Sequence, residues 1–108
     1  MKALSALFAL VLASSAAACS RGAVHVVQGV SIKEEKAGLM SQAQITPDSA
    51  MRIASTRVPG GRVVKGELEH EDGRLVYSLD VKIDGQDGIQ EVWVDAHTGE
   101  IVSVKHER

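Results

Sequence analysis

Between Arg62 and Lys105 apolar side chains return at every second position. The runs that carry them are broken by Glu71-Asp72-Gly73, by the Asp84–Gly88 loop (DGQDG) and by Thr98-Gly99. A period of two bounded by Gly and Asp is the mark of half-buried strands joined by tight turns, and a chain with four such runs is constrained to build a sheet. Leu75, Tyr77, Leu79, Val81 and Ile83 form one side of the second run, with Arg74, Val76, Ser78, Asp80 and Lys82 on the other. In the first run Val64, Gly66 and Leu68 oppose Val63, Lys65, Glu67 and Glu69; in the third Val92, Val94 and Ala96 oppose Glu91, Trp93 and Asp95. Pairing Leu79 with Val94 would set Lys82 across from Glu91, a favourable cross-strand charge match.

A sheet with one apolar side needs a cover, and the segment before it supplies one. Thr46-Pro47-Asp48 is a helix start: a hydroxyl cap, a proline at the first helical position and an acid in the first turn. Ala50, Met51, Ile53, Ala54 and Val58 lie on one side of the helix that follows. Pro59 and Gly60-Gly61 end it near Arg57 or Val58. A helix this short does not persist alone in water and must pack on the sheet. The expected fold is therefore α+β, one α-helix on one face of a four-stranded antiparallel β-meander. Its expected core is Ala50, Ile53, Ala54, Val64, Leu68, Tyr77, Leu79, Val81, Val92 and Val94.

One helix covers one face, so the other face is left for solvent or a partner. By alternation Trp93, Val76 and Val63 interrupt the charged residues there. Trp93 is the single tryptophan of the chain, and tryptophan is a preferred interface anchor. The last strand is ambiguous. A bulged three-residue turn at Gly99 would send Val102 and Val104 inward, and an even-numbered turn would place them beside Trp93. The candidate partner-binding residues are thus Trp93, Val76, Val63 and Val104, set against the bland alternative that Trp93 closes a strand edge.

The N-terminal part has a different character. Met1-Lys2 is a short positive start, Ala3–Ala13 is nearly all apolar, and Ser14–Ala18 are small. That is the three-part plan of a secretory signal over residues 1–18, well short of the roughly 20 residues that span a bilayer. Cys19 is the only cysteine, so no intramolecular disulfide can form. Its place directly after small residues resembles the bacterial lipobox and makes it a lipidation candidate. Ala16 stands where that pattern usually has leucine, and Ala16-Ala17-Ala18 equally satisfies ordinary signal cleavage. The expected location is the bacterial periplasm or cell envelope, lipid-anchored through Cys19 or otherwise secreted. Residues 19–42 read as a tether or weakly ordered lead-in, with Lys33–Lys36 a solvated charge run, and residues 43–108 as the folded domain.

Composition and spacing exclude several classes of function. The formal net charge is −2. Loss of Lys2 with the signal lowers Lys+Arg from 12 to 11 against 14 Asp+Glu, giving −3. A mildly acidic chain without a Lys/Arg cluster does not suit nucleic acid or anionic lipid. His25, His70, His97 and His106 have no zinc-site spacing, and DGQDG lacks the ordered ligands of an EF-hand. No GxSxG motif or phosphate-cradling glycine loop occurs, so no catalytic residue, metal or cofactor is assigned.

Several of these residues carry a family resemblance. The helix start with Ala50, Ala54 and Pro59-Gly60-Gly61, the strand Val76–Val81, and above all Val92-Trp93-Val94-Asp95-Ala96-His97-Thr98-Gly99-Glu100-Ile101 resemble a PepSY domain from about Ala43 to Val104. The resemblance implies an exported, non-catalytic protein-binding module, an inhibitor or regulator of a periplasmic or extracellular peptidase. The alternatives are a small-ligand or metal-sensing envelope domain and a purely structural envelope lipoprotein.

Overall fold

The computed structural model describes residues 26–27 and 29–108. The signal reading of residues 1–18 and Cys19 therefore lie outside the described residues. The element that the sheet needs as cover forms as its sequence dictates. Helix α1 (Pro47–Arg57) is capped by Thr46, whose Oγ1 accepts the Ser49 N–H at 3.1 Å, with Pro47 at its start and Asp48 in its first turn. It closes when Val58 N–H reaches the Ala54 carbonyl at 3.1 Å, and Gly60, at φ 82°, turns the chain into the sheet.

Six strands follow one another across a sheet in chain order: β1 (Val26–Val27), β2 (Val30–Glu34), β3 (Gly61–Glu71), β4 (Arg74–Ile83), β5 (Ile89–Asp95) and β6 (Ile101–Glu107). β3 to β6 are the expected antiparallel meander. The sheet is nevertheless mixed and larger than four strands, because β2 joins β3 in parallel, with Ile32 beside Gly66 and Glu34 beside Leu68. Parallel neighbours require a crossover, and residues 35–60, carrying a 3-10 turn at Leu39–Gln42 and then α1, provide it.

The lead-in thus departs from its expected looseness from Val30 onward. Ile32 and Leu39 are buried in the core. The Lys33–Lys36 run is not merely solvated. Glu34 accepts the Met40 N–H at 2.6 Å, Glu35 accepts that of His70 at 3.3 Å, and Glu35 N–H donates to the Leu68 carbonyl at 2.9 Å. Gly66 explains how β2 fits. A Cβ there would collide with the Ile32 side chain and with Leu79 Cδ2 at 2.8 Å, so the missing side chain is the space that Ile32 occupies.

The core between α1 and the sheet contains Ala50, Met51, Ala54, Val58, Val63, Leu68, Leu75, Tyr77, Leu79, Val81, Val92, Val94 and Ala96, with Ile53 half-buried against it. Tyr77 is fully buried and its hydroxyl donates to the Ile45 carbonyl at 2.6 Å. Burial pushes this phenol up to about 12.

Two bulges revise the expected siding. The register slips between Val63 and Lys65, so Val63 opposes Val81 and points inward at 3% exposure, while Val64 is the extra residue at 41%. An inserted residue reverses the alternation on one side of it, which is why the assignments of Val63 and Val64 exchange. A second slip lies between Trp93 and Val94, where Val102 is the unpaired residue of β6. The turn holds four residues, 96–99, with Gly99 at φ 82°. It is closed by the Asp95 N–H on the Glu100 carbonyl at 2.8 Å and the Gly99 N–H on the Asp95 carbonyl at 2.9 Å. It is therefore the even-numbered turn that sends both valines outward, and the bulge at Val102 then returns Val104 to the inner side. Val104 opposes Val92 and packs on the core, whereas Val102 is exposed.

The β4–β5 register also differs by two residues from the expected one. Tyr77 opposes Val94, Leu79 opposes Val92, and Asp80 rather than Lys82 faces Glu91. The β5–β6 turn is pressed against the cover: a Cβ on Gly99 would meet Ile45 Cδ1 at 2.8 Å and Ile53 Cδ1 at 3.4 Å. Gly99→Ala carries both a left-handed backbone penalty and this clash. It should lower stability by at least about 1–2 kcal/mol in chemical denaturation, and an unchanged midpoint would refute the fit.

Candidate functional site

The face of the sheet turned away from α1 is crossed by rows of side chains that the register fixes. One row runs Lys65, Asp80, Glu91, Lys105 across β3 to β6, and the next runs Glu67, Ser78, Trp93, Ser103. The third holds Glu69, Val76 and Asp95. No described helix lies on this side. Trp93 is half-buried at its centre, on the face that alternation gave it. Its Nε1 is enclosed and has no acceptor among the described residues, so what the residue offers a partner is the partly exposed apolar surface of its ring.

The other three candidates are placed differently. Val76 belongs to the outer face but is fully buried there, flanked by Glu69 and Asp95 with Trp93 on the diagonal. Being fully buried, it is not itself a contact surface. Val63 and Val104 are turned to the core side by the two bulges, so they do not join Trp93. Ser78, at 9% exposure, and Glu91 were not singled out, although the Ser78 hydroxyl donates to Glu91 Oε2 at 3.4 Å beside the indole. Only the true register would have shown them.

The charge on this face is unevenly compensated. Asp80 and Glu91 stand opposite each other, with Lys65 and Lys105 at the ends of their row. Partial burial raises both carboxyls; Glu107 raises both further, Glu67 acts on Asp80, and Asp80 acts on Glu91, while the lysines pull them back. Glu69 is likewise raised, first by burial and then by Glu67, Glu71, Glu35 and Glu91. The face therefore holds acids that are costly to keep ionised together, an arrangement a cationic partner would relieve. Among the described residues no group of three or more His, Cys, Asp or Glu side chains is arranged to hold a metal ion.

Asp95 is a different kind of acid. It lies at the end of β5 with 7% exposure. Its Oδ1 accepts the N–H of His97 at 2.7 Å and of Thr98 at 2.9 Å, and its Oδ2 lies 3.5 Å from the Arg74 guanidinium. Burial alone would raise this carboxyl, but the two backbone donors and the arginine outweigh it and hold it below the usual range. The residue shapes the turn and belongs to structure.

These two kinds of acid respond oppositely to pH. Glu91→Gln removes the repulsion from Asp80 and Glu107, so at pH 7 it should stabilise the fold by a few tenths of a kcal/mol, on the order of 0.3. That gain should vanish as pH falls through the raised carboxyl range towards 4, where Glu91 is neutral anyway. Asp95→Ala should instead cost about 2 kcal/mol at neutral pH. A lowered carboxyl contributes in full above its ordinary value and loses that contribution as pH falls through the lowered one. The deficit of Asp95→Ala should therefore shrink below about pH 4. Thermal melts of the three proteins from pH 3 to 7 check both signs.

Comparison with known proteins agrees with this architecture. The family described as the peptidase propeptide and YPEB domain (PepSY) matches residues 44–105, from just ahead of α1 to within β6. No curated protein and no solved structure matches the chain. Among the described residues no helix is long and apolar enough to cross a membrane. The match takes in the capped helix, the glycine turn that follows it, and the Asp95–Gly99 turn with its strands, which is more than half of the sequence. The chain belongs to the PepSY family.

Proposed function

We propose that this chain is an exported, non-catalytic protein-binding module that regulates a peptidase in the bacterial periplasm or outside the cell. The observation that carries the reading is the outer sheet face. No described helix packs on it, and at its centre lies a half-buried tryptophan whose enclosed ring nitrogen has no acceptor among the described residues. A ring whose neighbours in the register are Ser78, Ser103 and Glu91, with Glu67 at the end of its row, has the form of an interface anchor with a polar rim. The acids around it favour a partner that brings lysine or arginine. The family's description, which names peptidase propeptides, points to the class of partner. The signal-like start of the chain supports an encounter outside the cytoplasm, with the protein either lipid-anchored through Cys19 or released by ordinary signal cleavage.

The test is residual activity of peptidases co-secreted with this protein, measured with wild type and with Trp93→Ala. Wild type should alter peptidase activity at stoichiometric concentration. The variant, which leaves the α1-side core untouched, should weaken the effect by about tenfold or more, the scale of a truncated anchor. Activity unaffected by wild type, or an equal effect from the variant, would overturn this reading.

A further inference from the structure

On the other side of the sheet, α1 packs over β3, β4 and β5 and leaves the inner face of β6 incompletely covered. A groove of about 560 Å³ runs there, lined by Ile53 and Ile101, by Thr56, and by Arg52 and Arg57. Both arginines are exposed. The described ion pairs involve Arg62, Lys65 and Arg74, and none involves Arg52 or Arg57. Arg57 at the helix C-terminus is partly accounted for by the helix dipole; Arg52, in mid-helix, is not. Asp48, one turn before Arg52, is not within ion-pair distance of it. The acids of the neighbouring turn, Asp95 and Glu100, are drawn to Arg74 instead, at 3.5 and 3.9 Å. A groove that combines two isoleucines with two guanidinium groups lacking an ion-pair partner among the described residues is thus set into a chain that is acidic overall.

We infer that this groove receives an extended acidic peptide segment of a partner protein, one that carries carboxylates next to aliphatic side chains. The carboxylates meet Arg52 and Arg57, which suit planar anions, and an aliphatic side chain fills the space between Ile53 and Ile101. A polypeptide fits better than a free fatty acid because β6 is the edge of the sheet. The edge beyond the Val102 bulge offers main-chain hydrogen bonds that only another chain can complete. The same peptide is repelled by the acidic outer face, so charge alone distinguishes the two surfaces. The inference deepens, and rests on, the reading of the chain as a protein-binding module.

Fluorescence anisotropy of the full chain with three dye-labelled, end-blocked octapeptides tests it: alternating Glu and Leu, alternating Gln and Leu, and alternating Lys and Leu. The Glu/Leu peptide should bind more tightly than the Gln/Leu one, the Lys/Leu peptide should not bind, and added salt should weaken the binding. Arg52→Glu with Arg57→Glu, both on an exposed helix surface, should weaken the Glu/Leu peptide by at least about tenfold and admit the Lys/Leu peptide. Thr56→Tyr, which fills the groove without changing charge, should weaken binding as well. Circular dichroism melts confirm that each variant is folded. Equal binding of the three peptides, no binding, or Glu/Leu binding indifferent to the charge reversal would overturn the inference. So would a dimer in sedimentation that the double reversal dissociates, since a second copy would then be the occupant. These readouts contain no peptidase. Loss of peptide binding with Trp93-dependent peptidase regulation intact removes the groove and spares the module, and the converse result does the opposite.

Discussion

The junction ahead of α1 is what the remainder of the fold depends on. An eleven-residue helix is below the length that is stable alone, so its start must be fixed from outside. β4 and the start of the β5–β6 turn meet the chain there. The carbonyl of Ala96 accepts the N–H of both Gln44, at 2.8 Å, and Ile45, at 3.0 Å, and Ala96 N–H in turn donates to Leu75 at 2.9 Å. The Tyr77 hydroxyl holds the Ile45 carbonyl from below. The N–H groups of Gln44, Ile45 and Ala96 and the Tyr77 hydroxyl all find acceptors, as backbone outside regular structure requires where it is buried. The Asp95 carboxylate and Gly99 then shape the turn so that its backbone lies close against Ile45 and Ile53.

With the helix fixed over one face, the two sides of the sheet acquire opposite characters. The inner side is closed by apolar packing except along β6, where the cover ends and guanidinium groups begin. The outer side concentrates carboxylates around an indole, at some cost to stability, since like charges face each other at Asp80 and Glu91. Proteins tolerate such local conflicts chiefly where a surface has a use other than holding the fold together. A face that is costly when bare and relieved by a cation is an argument for a partner, independent of the family to which the chain belongs.

Much of this was legible in the residues. The helix ends follow from Thr46, Pro47 and Gly60, and the meander and most of its core follow from strict alternation in Arg74–Ile83. What alternation cannot carry is an inserted residue. Val63 and Val64 are equally apolar neighbours, and only the opposing Val81 decides which is buried. The same is true of Val102 and Val104. The true register of β4 on β5 was hidden because slipping by two residues keeps every side chain on its face; it changes only who faces whom, turning an expected lysine–glutamate pair into an aspartate–glutamate one. β2 was missed for a different reason. Its run is short, and its partner is a glycine more than thirty positions away whose meaning appears only when Ile32 is seen filling its space.

The order of the strands has a bearing on how such a protein would sit at a surface. The chain enters the sheet at β1 and reaches β6 only after five steps between neighbouring strands, about 24 Å at roughly 4.8 Å each. A molecule held by its N-terminal end would therefore be gripped along one margin. Its opposite margin, with the arginine-flanked channel, would project outward into the surrounding medium, where passing chains can reach it without crowding against the support.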